Sequence, residues 1–217
     1  MDNTYEQLLQ GNRDYVEKIT SRKPDFFSEL AKGQSPEVLW IGCSDSVVPA
    51  NTLTGTRPGD VFVHRNLGNL CVHTDMNMLS VLDFAVNVLK VKHIIVTGHY
   101  GCTAIPAAMG NLQFAVAENW LFHIKSVYRL HAKELDAIAD EKARADRLVE
   151  LNVREQLINL CRTHIVQNAW RERTDFELHG WVIDIKTGLV KDLGITLTSS
   201  NKEGENLTLD EEDELRG

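Results

Sequence analysis

Two short segments carry the side chains whose types and spacing could do chemistry. Gly42-Cys43-Ser44-Asp45-Ser46 sets a thiol and a carboxylate two residues apart, and Gly98-His99-Tyr100-Gly101-Cys102 sets an imidazole and a second thiol three apart. Soft thiolates together with an imidazole suit Zn²⁺ in tetrahedral geometry. Three protein ligands leave a fourth position open, which is the catalytic arrangement. Two thiolates cancel the ion's formal charge and make it a poorer Lewis acid than zinc held by three neutral histidines. Such a centre still lowers the pKa of a bound water toward about 7. Asp45 is the obvious acceptor to orient that water, and attack on a small electrophile is the natural reaction class. A carboxylate this close could instead bind the metal and close the site. An H-x-x-C by itself arises by chance and then means a buried thiol and a hydrogen-bonded ring; the Cys-x-Asp of the first segment strengthens the combination. Cys71 and Cys161 lack such a context and read as packed small hydrophobes. The remaining histidines, His73, His123 and His179 among them, read as structural.

The two segments need a scaffold that brings them together. Val38–Ile41 is a short apolar run ending at Gly42-Cys43 and predicts a buried strand. Pro58-Gly59 predicts a turn into a second strand, Val61–Val63. Leu79, Leu82, Val86 and Leu89 recur at spacings of three and four, predicting a helix over 76–90, and His93–Thr97 predicts a third strand ending at Gly98. The stretch 113–168 reads as mostly helical. Gly180–Ile185, the turn Lys186-Thr187-Gly188 and Leu189–Leu193 read as a final hairpin. Strands alternating with helices predict an α/β fold with a mostly parallel central sheet, one antiparallel edge strand and flanking helices. Both chemical segments then follow the carboxyl ends of parallel strands, where open α/β sheets bind their ligands. Before Pro36 nothing resembles a strand. Leu8, Leu9, Tyr15 and Val16 share one helical face, and a second short helix carries Phe26, Phe27 and Leu30, so residues 1–34 read as a helical arm.

The chain has 217 residues, 43% apolar and 25% charged. That suits a single domain over 1–200, and it excludes disorder as the main state. No aliphatic run approaches the roughly 20 residues that cross a bilayer. Met1–Asp14 shows no basic region followed by an apolar stretch, so no secretory signal is expected and the default location is cytoplasmic. Net charge is −8. Most of it falls in an acidic tail over 201–217, which leaves a nearly neutral body and disfavours nucleic-acid binding. Four cysteines without a secretory signal do not make a disulfide framework.

With these motifs in hand, the chain resembles the β-class carbonic anhydrases over about residues 24 to 195. The resemblance rests on Gly33-Gln34-Ser35-Pro36, Trp40–Ser46, Val63-His64-Arg65-Asn66, Gly98–Cys102 and His179-Gly180-Trp181, in order and at the family's spacing. It implies zinc bound by Cys43, His99 and Cys102, Asp45 as the active-site carboxylate and Gln34 beside the substrate. It implies reversible hydration of CO₂ to bicarbonate and a proton, and helical arms clasping a second subunit in a homodimer or homotetramer.

The chain departs from the family in three respects. Val47 stands where the pattern Cys-x-Asp-Ser-Arg has arginine. That arginine holds the aspartate in a bidentate ion pair, so its loss predicts an Asp45 free to turn to the zinc as fourth ligand, unless Arg65 or Arg57 stands in. Thr103-Ala104 replaces a Gly-Gly and adds Cβ atoms near the pocket, unless Thr103 serves as a helix N-cap. Trp40 and Arg65 match a non-catalytic bicarbonate site, but Ile183 stands at its tyrosine position. The first reading is therefore a carbonic anhydrase weakened or shifted in pH. The others are a zinc-containing structural or bicarbonate-binding subunit, a carbonyl sulfide or carbon disulfide hydrolase, and a thiol redox enzyme using Cys43 and Cys102.

Overall fold

A computed structural model describes residues 3–110 and 116–201. The chain divides into two compact units at Ser35/Pro36. The first holds α1 (Thr4–Thr20) and α2 (Phe26–Leu30). Neither helix buries a residue, and Tyr5, Leu8, Leu9 and Tyr15 are exposed. The acidic stretch 202–217 lies outside the described residues.

The second unit runs β1 (Val38–Cys43), α3 (Ala50–Thr54), β2 (Val61–Asn66), α4 (Met76–Asp83), β3 (His93–His99), α5 (Ala104–Met109), α6 (Val116–Leu130), α7 (Ala132–Asp136), α8 (Glu141–Cys161), α9 (His164–Glu172), β4 (Glu177–Asp184) and β5 (Leu189–Leu197). The five strands form one sheet in the order β2-β1-β3-β4-β5. Neighbours pair in parallel except β4 with β5, which are antiparallel. This is the expected architecture. Central β1 and β3 are buried along nearly their whole length, which explains why they read as unbroken apolar runs rather than alternating ones. From β1 the chain steps outward to β2, then returns to place β3 on the other side of β1. The crevice at the carboxyl ends of β1 and β3 is therefore the topological switch point of the sheet.

Helix α8 packs on β3 and β4. Two glycines let it approach. A Cβ at Gly98 would lie 2.9 Å from both Val149 Cγ1 and Val153 Cγ2, and one at Gly180 would lie 2.9 Å from Leu157 Cδ1. The predicted helix over 76–90 is α-helical only to Asp83. Phe84–Val88 forms a π turn, with Leu89 N–H bonded to Phe84 C=O, and Lys90 then reverses the chain at φ 57°. The wider turn buries two consecutive residues, Ala85 and Val86, while Phe84 and Val88 face outward. Among the described residues no helix is long and apolar enough to cross a membrane.

Candidate metal centre

Gly42 pairs with Thr97, so Cys43 and His99 end adjacent strands at the same edge of the sheet. Gly101, at φ 75°, turns the chain so that Cys102 comes back toward them. The Cys43 and Cys102 sulfurs lie 3.8 Å apart. Two thiolates about 2.3 Å from a tetrahedral zinc stand about 3.8 Å apart, so the pair is already spaced for the ion. The ligand atoms of Cys43, His99 and Cys102 all lie within 4.8 Å of one another, and all three residues are buried. Both ring nitrogens of His99 are buried without a hydrogen-bond partner among the described residues. An imidazole in that condition is costly unless something else takes a lone pair. The donor set and the orphaned ring both fit zinc.

The two sulfurs are not equivalent. Cys43 is held well below the usual thiol range, chiefly by the hydrogen bond from Cys102, with His99 and the backbone N–H groups of Asp45 and Gly68 also lowering it. Those two N–H groups donate to its sulfur at 3.5 Å each. Cys102 is pushed up by the Cys43 interaction and by burial. Cys71 and Cys161 behave as the sequence suggests: both are buried, and burial pushes their thiols up, that of Cys161 to about 12.

Asp45 sits at the mouth of this centre. Its Oδ2 is 3.8 Å from His99 Nε2, and its Oδ1 accepts the Val47 N–H at 3.3 Å. Val47 is about half exposed. Neither arginine substitutes for the missing one. Arg65 directs Nε to the Cys43 carbonyl at 2.7 Å and its Nη2 to the Asp45 carbonyl, while Arg57 pairs with Asp60 at 3.3 Å. Arg65 thus fixes the backbone of the segment that carries Asp45 and leaves the carboxylate alone. A cleft of about 520 Å³ opens here, lined by Asp45, Val47, His99, Gly101, Lys142 and Lys186 among others. Gln34 is exposed and belongs to the first unit. Thr103 occupies the N-cap position of α5 but makes no capping bond and is itself helical. Trp40 is buried with no partner for its Nε1 among the described residues, and Ile183 is fully buried.

The sequence did not single out the residues that hold the loop under the cysteines. Asn66 clamps it by accepting the Leu70 N–H at 2.7 Å and donating to the Leu70 carbonyl at 2.8 Å. Gly68, at φ 78°, supplies its N–H to Cys43, and a Cβ there would meet Ile124 Cδ1 at 2.8 Å. From α8, Asn152 donates to the Gly68 carbonyl at 2.9 Å, and Gln156 accepts the Cys71 N–H at 2.8 Å while donating to Asn152 at 3.0 Å. The available signal was two amide residues four apart on a helix face otherwise made of Leu, Val and Cys161. Gln156→Ala is expected to leave the Cys71 N–H and the Asn152 carbonyl unmatched in the core. Stability should fall by about 1–3 kcal/mol, read as a lower urea midpoint at unchanged slope.

Three comparisons with known proteins bear on this arrangement. The family model described as carbonic anhydrase matches residues 38–190. A carbonic anhydrase of Emericella nidulans is 47% identical over 195 residues, covering 90% of this chain and 86% of that protein. Among solved structures, one from a study of two tetrameric β-carbonic anhydrases of Sordaria macrospora superposes with a TM-score of 0.87 at 42% identity, covering 90% of this chain and all of that one. A Coccomyxa β-carbonic anhydrase in complex with acetazolamide gives 0.84 at 38% identity, covering 88% and 87%.

Proposed function

Because the chain belongs to the β-class carbonic anhydrases, we propose that it hydrates CO₂ reversibly to bicarbonate and a proton in the cytoplasm, at a zinc centre held by Cys43, His99 and Cys102. The observation that carries the zinc is the pair of sulfurs 3.8 Å apart beside an imidazole with no hydrogen-bond partner among the described residues. When bound there, zinc supplies the Lewis acidity that makes a water nucleophilic near neutral pH.

The chain's own groups do the rest. Cys43, with two N–H donors on its sulfur, gives up less electron density than a bare thiolate, which supports the Lewis acidity that two thiolates reduce. Asp45 accepts a proton-bearing donor at the mouth and orients it toward the substrate. With Val47 beside it and Arg65 bound to main-chain carbonyls, Asp45 has no guanidinium among the described residues to hold it there. It is therefore free to turn inward as a fourth ligand, and turnover is weakened at neutral pH and rises toward alkaline pH. The exposed aromatic and leucine side chains of α1 suit an arm that packs on a second subunit, giving a homodimer or the tetramer reported for the Sordaria relatives.

Stopped-flow CO₂ hydration by zinc-replete protein at neutral and alkaline pH tests the reading. Turnover above buffer that rises with pH supports it. Full zinc occupancy without turnover at either pH would instead make the chain a zinc-containing structural or bicarbonate-binding subunit.

A further inference from the structure

At the opposite end of the sheet from the cysteines, three more metal-ligating side chains converge. His93 opens β3, and Glu177 opens β4 directly beside it, with His179 two residues farther along β4 opposite Ile95. Their alternation on paired strands brings all three to one face. His93 Nδ1 lies 3.1 Å from His179 Nε2, and Glu177 Oε2 lies 3.7 Å from the first and 3.5 Å from the second. A triangle with these edges has a point about 2.0 Å from every corner, the bond length zinc makes to imidazole nitrogen and carboxylate oxygen. That point lies in the plane of the three atoms; with the ion raised out of the plane to about 2.1 Å from each, tetrahedral coordination asks for edges of about 3.4 Å, which is the mean of the three. On its far side, His179 Nδ1 lies 3.1 Å from the Thr196 hydroxyl on β5. A bond there fixes the ring and leaves Nε2 as the coordinating atom, the outer-shell support that ligating histidines characteristically have. A ring-to-ring hydrogen bond accounts for the shortest edge but not for a carboxylate oxygen facing both nitrogens.

We propose that His93, Glu177 and His179 form a second divalent-metal site, of the two-histidine, one-carboxylate type suited to Zn²⁺ or Co²⁺, separate from the cysteine centre. Two imidazoles and a carboxylate form a harder donor set than the thiolates, so the two sites differ in spectrum as well as position. All three side chains are partly exposed, so an ion can enter from solvent.

Full-length protein carrying one zinc per chain, titrated with Co²⁺, tests this. Wild type should take up about one further equivalent per chain, with visible d–d absorption and no thiolate-to-cobalt charge transfer in the near ultraviolet. His93→Gln and Glu177→Gln, at positions 40% and 39% exposed, should each lose that equivalent while keeping the zinc already bound. The readout is the difference between wild type and variants, so it does not depend on how the cysteine centre is filled. No uptake by wild type, or equal uptake by the variants, would overturn the proposal.

Discussion

Cys102→Ser is expected to bring CO₂ hydration down to the buffer background and to release the zinc during gel filtration. Serine is close in shape but offers a hard hydroxyl that stays protonated, and zinc at a cysteine site selects the thiolate. Losing even an outer-shell partner typically weakens a metal by about 10–100-fold, and loss of a direct ligand should exceed that. The substitution is nearly isosteric at a buried position, so the sheet should survive it. Elemental analysis and stopped-flow hydration on the same sample read both effects. A variant with full zinc and wild-type turnover would remove Cys102 from the centre and with it the Cys₂His assignment.

Val47→Arg is the second large effect, and in the opposite direction. Position 47 is about half exposed, so an arginine fits without disturbing the core. The Val47 N–H already bonds Asp45 Oδ1 at 3.3 Å, so a side chain from this residue starts beside the carboxylate it must hold. A bidentate guanidinium would keep Asp45 turned outward and orient its acceptor oxygen. Restoring an interaction of that kind is worth about 10²-fold in turnover, by analogy with a lost transition-state donor. The gain should be greatest at neutral pH, flattening the pH profile. Val47→Lys supplies charge without the fork and should gain much less. Unchanged turnover and an unchanged profile in Val47→Arg would mean that Asp45 is already positioned without an arginine. A silent wild type rescued by Val47→Arg would mean a family scaffold disarmed at one residue.

The parallel sheet was legible because β1 and β3 are buried on both faces and so leave apolar runs with sharp polar ends. The same runs located Cys43 and His99, since a strand's last apolar residue marks where its loop begins. The π turn at Phe84–Val88 was not legible: Leu82, Val86 and Leu89 fit helical spacing, and one widened turn hardly disturbs that pattern. The sequence offered Arg65 as a stand-in for the missing arginine, and the structure puts its guanidinium on two carbonyls instead. Composition cannot show such a choice, because a guanidinium can donate to peptide oxygens as well as to a carboxylate. Asn152 and Gln156 were hidden for a related reason. Their partners are backbone groups of a loop more than 80 residues away, and no local pattern registers them.

Cys43 and Cys102 lie 59 positions apart along the chain, yet their sulfurs nearly touch. In an extended or partly made polypeptide an ion bridging them would have to close that loop alone, against its full closure entropy. The register of β1 against β3 meets that cost first. A chain still emerging from the ribosome exposes Cys43 well before His99 and Cys102, and firm capture of the proposed zinc should wait until the central strands have zipped together. For the zinc proposed at this centre, metallation is then expected to be the closing event of biosynthesis, and protein made under zinc starvation should accumulate as a folded apo form that zinc can later fill without unfolding.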